Sequence, residues 1–379
     1  MDQRIEFALK AYRTNNFRAL CAEYGISAKT GYKWQRRLLQ YGLAGMAEQS
    51  RRPHSHAAEL SEAVVCEMVR LKAAHRHWGP RKIRELYLRR HGQAASESSF
   101  KRVLERAGLT EPRRRRQRAT AAGRLWSERR GQAPNEVWTV DFKGWWYDGQ
   151  GQRCEPLTVR DEHSRYLLEL RRLADSRTET VRHCFERLFE RYGLPGAIRS
   201  DNGSPFAHVR GLLGLSRLSV WWLALGIDLE RGRPGHPQDN GAHERLHRDI
   251  RVELEPSLAA QAALDLWRQE FNQERPHESL GMKCPAEVYQ PSPRPYVGTP
   301  EDLDYPGMDR RRVSGQGTIR WEAITFFVTG SLAGWSVGLK PLACGRFEVW
   351  FGRLLLGWIE PRTESFQRAE DRPLEAGQA

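Results

Sequence analysis

The sequence has no cysteine pair at metal-ligand spacing. Cys21, Cys66, Cys154, Cys184, Cys284 and Cys344 are scattered and form no Cys-x-x-Cys, which excludes a readable zinc-finger or thioredoxin-like motif. His54, His56, His75 and His77 come as two close pairs with no cysteine pair after them; they read as solvated or phosphate-facing. No run approaches the ~20 apolar residues that cross a bilayer. The start, Met1-Asp2-Gln3-Arg4, leads into a charged amphipathic run rather than the apolar stretch of a signal peptide. A membrane partner is therefore not expected, and the cytoplasm is the default location. No Gly-x-Ser-x-Gly or paired Cys/His context supports a serine or cysteine hydrolase. Acids are also in short supply: 47 Asp and Glu stand against 61 Lys and Arg, a formal charge of +14. Such a surplus favours a polyanionic partner, because each neutralised phosphate releases condensed counterions.

What is present divides the 379 residues into regions of different pattern, as expected of several domains. Residues 1–50 read helical. Phe17 to Cys21 and Tyr24 give one apolar face, Gly25-Ile26 breaks it, and Ser27 can cap a helix from Ala28 to Leu39. This is the outline of a helix-turn-helix. Its second helix carries Lys29, Thr30, Lys33, Arg36 and Arg37, residue types suited to phosphate and base-edge contacts. Beyond the polar stretch Ser50–His56, residues 57–110 show three helical patterns, with Pro80 at a helix start and Ser96 opening the last. They read as a second helix-turn-helix-like module, or else as a helical spacer. Residues 111–130 hold eight arginines against two glutamates, with Arg113, Arg114, Arg115 and Arg116 in a row; the run must be solvated or lie on phosphate.

From residue 131 to 290 strands meander and then alternate with helices, an α/β arrangement. Short, closely spaced strand patterns return in residues 310–362: Thr318–Trp321, Ile324–Val328, Trp335–Leu339, Phe347–Phe351 and Leu354–Ile359. They predict a small five-strand β-barrel of about fifty residues.

Three carboxylates stand out by position. Asp141 lies inside a strand, where an acid is costly without a partner or a metal. Asp201 ends a strand in an Asp-Asn-Gly turn, where open α/β sheets place functional groups. Glu244 lies in the first turn of a helix that begins after Pro237-Gln238-Asp239-Asn240-Gly241. Singly each has an ordinary explanation: an edge residue, a turn, a helix-dipole preference. Jointly, with 59 and 42 residues between them, they can meet at one sheet edge.

Here the sequence resembles the transposases and integrases of the retroviral-integrase superfamily, and most closely the bacterial insertion-sequence transposases. The resemblance rests on Trp138-Thr-Val-Asp141, Pro156-Leu-Thr-Val-Arg-Asp161-Glu-His-Ser164-Arg, Ser200-Asp-Asn-Gly203-Ser-Pro-Phe206, Pro234 through Glu244-Arg, and Asn272-x-x-Arg275-Pro-His277-x-x-Leu280, closing with Pro285 and Tyr289. It implies a multidomain α and α/β protein: N-terminal helix-turn-helix modules, an RNase H-like catalytic core and a small C-terminal β-barrel. It also implies an Asp141, Asp201 and Glu244 triad holding two Mg²⁺ ions, or Mn²⁺, ~3.5–4 Å apart. The expected reaction is 3′-end cleavage at a mobile element and strand transfer into target DNA. Expected partners are double-stranded DNA, as terminal inverted repeats and target, and further copies of the chain, as a dimer or tetramer in a synaptic complex. The location so implied is the bacterial cytoplasm, at the nucleoid.

The family carries a basic residue seven positions after its glutamate, here Arg251, which shares a helix face with Glu244 and with Arg248. The family also has fewer residues between its second aspartate and its glutamate. The excess here falls at His208 to Arg217, which reads as an inserted loop. The competing reading is a transposase-derived DNA-binding regulator without catalysis, against which the intact triad counts.

Overall fold

A computed structural model describes residues 3–48, 60–110, 131–142, 144–147, 151, 153–208, 211–231, 241–254 and 260–369. Arg113 to Arg116, the Ser50–His56 stretch and the segment 232–240 ahead of Glu244 lie outside the described residues. The chain divides into two compact units, Met1–Val64 and Val65–Ala379.

In the first unit, α1 (Gln3–Lys10), α2 (Phe17–Glu23) and α3 (Ala28–Tyr41) form the expected helix-turn-helix. Asn16 caps α2 by accepting from the Ala19 N–H at 3.1 Å, and Ser27 caps α3 by accepting from the Thr30 N–H at 3.2 Å. Between them Gly25 takes the left-handed φ of +61° that ends α2. Gly31 sets how closely α3 approaches its neighbours: a Cβ there would fall 2.7 Å from Cys21 Sγ and 2.8 Å from the Phe7 ring. Phe7, Ala11, Leu20 and Cys21 are the buried centre.

The second unit holds most of α4 (Glu62–Ala74), then α5 (Pro80–His91) and α6 (Glu97–Arg106). Pro80 starts α5, and Gly92 ends it with φ +74°. Ser96 caps α6 through the Ser99 N–H at 3.2 Å. This helical group is seated on the later part of the chain. His75 Nδ1 lies 3.0 Å from Glu270 Oε1. Arg89 donates to the Met282 carbonyl at 2.9 Å and to Glu287 Oε2 at 3.0 Å.

The core sheet follows: β1 (Val137–Phe142), the small hairpin β2 (Trp146–Tyr147) and β3 (Arg153–Cys154), β4 (Pro156–Asp161), β5 (Leu167–Arg172), α7 (Thr178–Tyr192), β6 (Ala197–Ser200), α8 (Arg217–Ala224) and β7 (Asp228–Arg231). The sheet order is β5-β4-β1-β6-β7. β1, β4 and β5 pair antiparallel, whereas β1, β6 and β7 pair parallel. Then come α9 (Gly241–Leu254), α10 (Gln261–Gln273) and α11 (Pro285–Val288).

Strand alternation sorts the side chains into two layers. Trp138, Val140, Leu157 and Val159 pack on Phe185 and Phe189 of α7 and Trp221 and Trp222 of α8. On the opposite face, Leu167 and Leu170 pack with Leu246, Ile250 and Leu254 of α9 and Leu264, Trp267 and Phe271 of α10. Asp141 and Thr158 are register partners, and they point to this second face, towards α9. Central strands covered on both faces give the mixed sheet of an RNase H-like core.

The C-terminal part has β8 (Asp309–Arg312), β9 (Thr318–Trp321), β10 (Ile324–Phe327), β11 (Ser336–Pro341), β12 (Phe347–Phe351), β13 (Leu354–Glu360) and β14 (Ser365–Arg368). The expected closed five-strand barrel is not formed. The strands make one sheet in the order β14-β13-β12-β11-β8 and a separate β9–β10 hairpin. A barrel needs every edge paired, and among the described residues no ladder joins the hairpin to β8 or β14. The β8 edge carries Arg310, Arg311 and Arg312, charges of the kind that block further strand addition. The two sheets nevertheless share one core, with Ile319, Phe326, Val337, Leu339, Val349, Phe351, Leu356 and Ile359 inside.

The segment read as an inserted loop is built into this core. Leu212 and Leu215 pack there with Val220 of α8, and Ser331 Oγ donates to the Leu215 carbonyl at 2.7 Å.

Candidate active site

The β1–β6 register brings two of the three acids together. The offset that pairs Val137 with Ala197 and Thr139 with Arg199, carried two residues further, sets Asp141 level with Asp201. Asp201 leaves the strand end in a tight turn, its Oδ1 accepting from the Gly203 N–H at 3.2 Å. A Cβ at Gly203 would press to 3.0 Å on Asp201 Oδ2, so a larger residue there would shift that carboxylate. Arg231, at the end of β7, carries its half-buried guanidinium within the field of Asp201. Glu244 is exposed in the first turn of α9, with Arg248 and Arg251 exposed one and two turns on.

Asp141 is the electrostatic centre of this edge. Burial, the Asp201 charge and the Glu244 charge push its carboxyl from the usual 3.8 up to about 7, against the Phe142 N–H, which favours the ionised form. Two further acids, from the end of β6 and the first turn of α9, thus act on Asp141. Among the described residues no three His, Cys, Asp or Glu side chains stand close enough to hold one metal ion. The donor chemistry nonetheless suits a hard divalent cation: the groups are carboxylate oxygens, and their mutual repulsion is what such a cation would relieve.

The sequence reading missed a hydrogen-bond node beneath this edge. The Thr158 hydroxyl donates to the Asp141 carbonyl at 2.9 Å, and it lies 2.9 Å from Nε2 of both His243 and His247. With its proton so used, the hydroxyl oxygen accepts from both imidazoles. His243 is fully buried, and burial holds its pKa well below the usual histidine range. His247 Nδ1 stands 3.9 Å from Asp141 Oδ2. The spacing of His243 and His247 put both on one side of α9, but nothing in the sequence named Thr158 as their partner.

Several resemblance motifs prove to be framework. Asp161 Oδ2 accepts from the Ser164 N–H at 2.8 Å and from its hydroxyl, while Oδ1 accepts from the Asn135 N–H at 2.7 Å. Asn272 pairs with the Leu167 backbone as another strand would, at 2.8 and 2.9 Å. Tyr289 donates to Asn135 Oδ1 at 2.9 Å.

Of the residues read as a recognition helix, Lys29, Lys33 and Arg36 are exposed along α3. Thr30 is half-buried, its hydroxyl 3.0 Å from that of Ser27 in the helix cap, and Arg37 is half-buried.

Residues 131–237 match the family described as Integrase core domain, and residues 225–285 match a second family of the same description. Residues 3–54 match Helix-turn-helix domain and 30–104 match Homeodomain-like domain. The chain is 29% identical over 237 residues to the insertion element IS407 uncharacterized 31.7 kDa protein of Burkholderia multivorans, covering 60% of this chain and 80% of that protein. It is 28% identical over 265 residues to the insertion element IS476 uncharacterized 39.2 kDa protein of Xanthomonas euvesicatoria, covering 65% and 70%. The HTLV-2 integrase catalytic core domain, solved in complex with magnesium, aligns at 17% identity and a TM-score of 0.33 over 42% of this chain and 100% of that one. With integrase-core matches running from 131 to 285 behind two helix-turn-helix matches, the chain is similar over that span to integrase core domains and to bacterial insertion-element proteins.

Proposed function

We propose that the chain is a DDE-type transposase that binds the ends of a mobile DNA element, frees a 3′-hydroxyl there and joins it to target DNA. The observation that carries this reading is the convergence on Asp141 of burial and two further carboxylate charges, an arrangement that costs stability and is found where function requires it. Asp141, Asp201 and Glu244 would hold two divalent ions, Mg²⁺ or Mn²⁺. Bound there, such ions supply the charge that activates a nucleophile and stabilises a leaving oxygen.

The protein's own groups do the rest. Thr158, bonded to the Asp141 carbonyl and beside both imidazoles, ties α9 to β1 and β4, which supports a role for Glu244 alongside Asp141. Arg248 and Arg251 extend the Glu244 face as phosphate contacts for the DNA end. Residues 1–50 and 57–110 serve as recognition domains, the 111–130 linker with Arg113 to Arg116 as a non-specific contact, residues 131–290 as the catalytic core and residues 310–362 as a target-DNA platform. Two ends must be joined in one complex, so the working form is a dimer or tetramer, at the nucleoid in the cytoplasm. Among the described residues no helix is long and apolar enough to cross a membrane.

The test is purified protein with labelled element ends and Mg²⁺ or Mn²⁺. Nicked ends and joined products are expected with either ion, and DNA binding without any cleavage or joining would favour a regulator. Lys33→Ala, on the exposed face of α3, is expected to weaken end binding and lower the slope of log K against log salt by about 1. Titration at several salt concentrations checks it, and an unchanged slope would remove α3 from the DNA interface.

A further inference from the structure

A cavity of about 240 Å³ that none of the three acids lines opens between α5, β4, α9 and the segment after α10. Its wall is unusually basic. Lys82 comes from α5, Arg160 from β4, Arg165 from the β4–β5 turn and Arg245 from α9. Among the described residues the Lys82 ammonium and the guanidinium groups of Arg165 and Arg245 make no hydrogen bond or ion pair. The acids nearby are Asp249 and Glu278; Asp249 is already engaged by Arg275 at 2.9 Å, and Glu278 sits near Arg81 at 3.7 Å.

The cost of this arrangement is visible in its members. Burial, followed by the charge of Arg275, pushes Lys82 down to about 8. Burial, then Lys82 and Arg275, pushes His277 down to about 3, and its Nε2 is buried without a hydrogen-bond partner. Cations gathered from four parts of the chain, with too few acids among them, are repaid only by an anion.

The occupant is constrained by shape and by composition. Phe271, Leu246 and the His277 ring line the cavity beside the charges, so it offers an apolar and aromatic surface next to a cationic one. That combination fits a nucleotide, with its phosphate on the cations and its base on the rings. The space admits one nucleotide and is far too small for a double helix. Arg245 directly follows Glu244, about 100° further round α9, so the cavity wall includes the helix turn that carries Glu244.

We propose that this cavity binds a phosphodiester of an unpaired DNA strand beside the active site, with Lys82 and Arg245 as the phosphate contacts. The inference rests on the nucleic-acid reading above but not on its chemistry, so it is tested with chelator present and no cleavage.

Binding of a labelled oligothymidylate and of a duplex of equal length is measured for the full chain, for Lys82→Gln/Arg245→Gln and for Lys82→Arg. The double variant is expected to lose about tenfold in oligothymidylate affinity, to hold duplex affinity, and to unfold at the same or a higher temperature because like charges have been removed. Lys82→Arg should retain binding. Unchanged oligothymidylate affinity, or an equal loss for both DNAs, would overturn the proposal. Stabilisation of the wild type by inorganic phosphate, lost in the double variant without any change in oligothymidylate binding, would mark a free-anion site and overturn it too. Wild-type protein that bound neither DNA would instead count against the transposase reading itself.

Discussion

Asp141→Asn is expected to reduce end cleavage and strand transfer by about a thousandfold or more, while leaving binding of the element end intact. The substitution keeps the side chain's size and removes only the ionised oxygen on which the other two acids act. It should also make the cation-free protein more stable in alkaline solution. In the folded chain Asp141 is held up to about 7, against 3.8 for the ordinary carboxyl. The folded state therefore keeps its proton between those values while the unfolded state has lost it. Stability falls as pH rises from about 4 to about 7 and is level above that, an effect of up to about 4 kcal/mol. Asparagine removes the dependence, so the variant should match the wild type near pH 4 and exceed it at pH 8. Urea unfolding at the two pH values checks the sign. Full joining activity, or a variant less stable than the wild type at pH 8, would remove Asp141 from the centre of the site.

The second large effect is expected at a buried ion pair. Arg275 is buried, donating to Asp249 Oδ2 at 2.9 Å and to Glu253 Oε2 at 3.1 Å. Its guanidinium lies 5.6 Å from the Phe271 ring centre and 5.9 Å from that of Trp78. It thus ties α9 to α10 and to the turn before α5. Arg275→Ala takes the cation from two carboxylates on one side of α9, leaving Glu253, among the described residues, only the Trp267 Nε1–H at 2.7 Å, and empties the space between two rings. A loss of about 3–5 kcal/mol is expected, the usual consequence of breaking a buried pair from one side. Arg275→Met, which keeps the stem and its packing, should lose less than alanine. Denaturant midpoints measure both. Equal losses would mean that charge, not packing, dominates the site.

The sequence carried the local part of this architecture. Ser27, Gly25 and Asn16 act within a turn or two of themselves, so their caps and breaks are visible along the chain. Asp141 and Asp201 were legible because each has a strand pattern leading into it. The Thr158 node was not, since a threonine in a strand is an ordinary residue until α9 lays two imidazoles against it. Nor was the basic cavity: Lys82, Arg160 and Arg245 are scattered cations in sequence, and only packing gathers them. β8 and β14 were missed because Asp-Arg-Arg-Arg and Ser-Phe-Gln-Arg have little of the alternation that marks a half-buried strand. The expectation of a closed barrel followed from counting only the apolar strands.

The segment between Asp201 and α8 has a further consequence. Because Leu212 and Leu215 are shared with the C-terminal sheets, the turn that presents Asp201 and the domain behind it are joined by a common apolar seam. A displacement of the terminal sheets would therefore be felt in the segment that follows Asp201. What read along the chain as surplus length acts, in space, as a tie between the terminal sheets and the turn that carries Asp201.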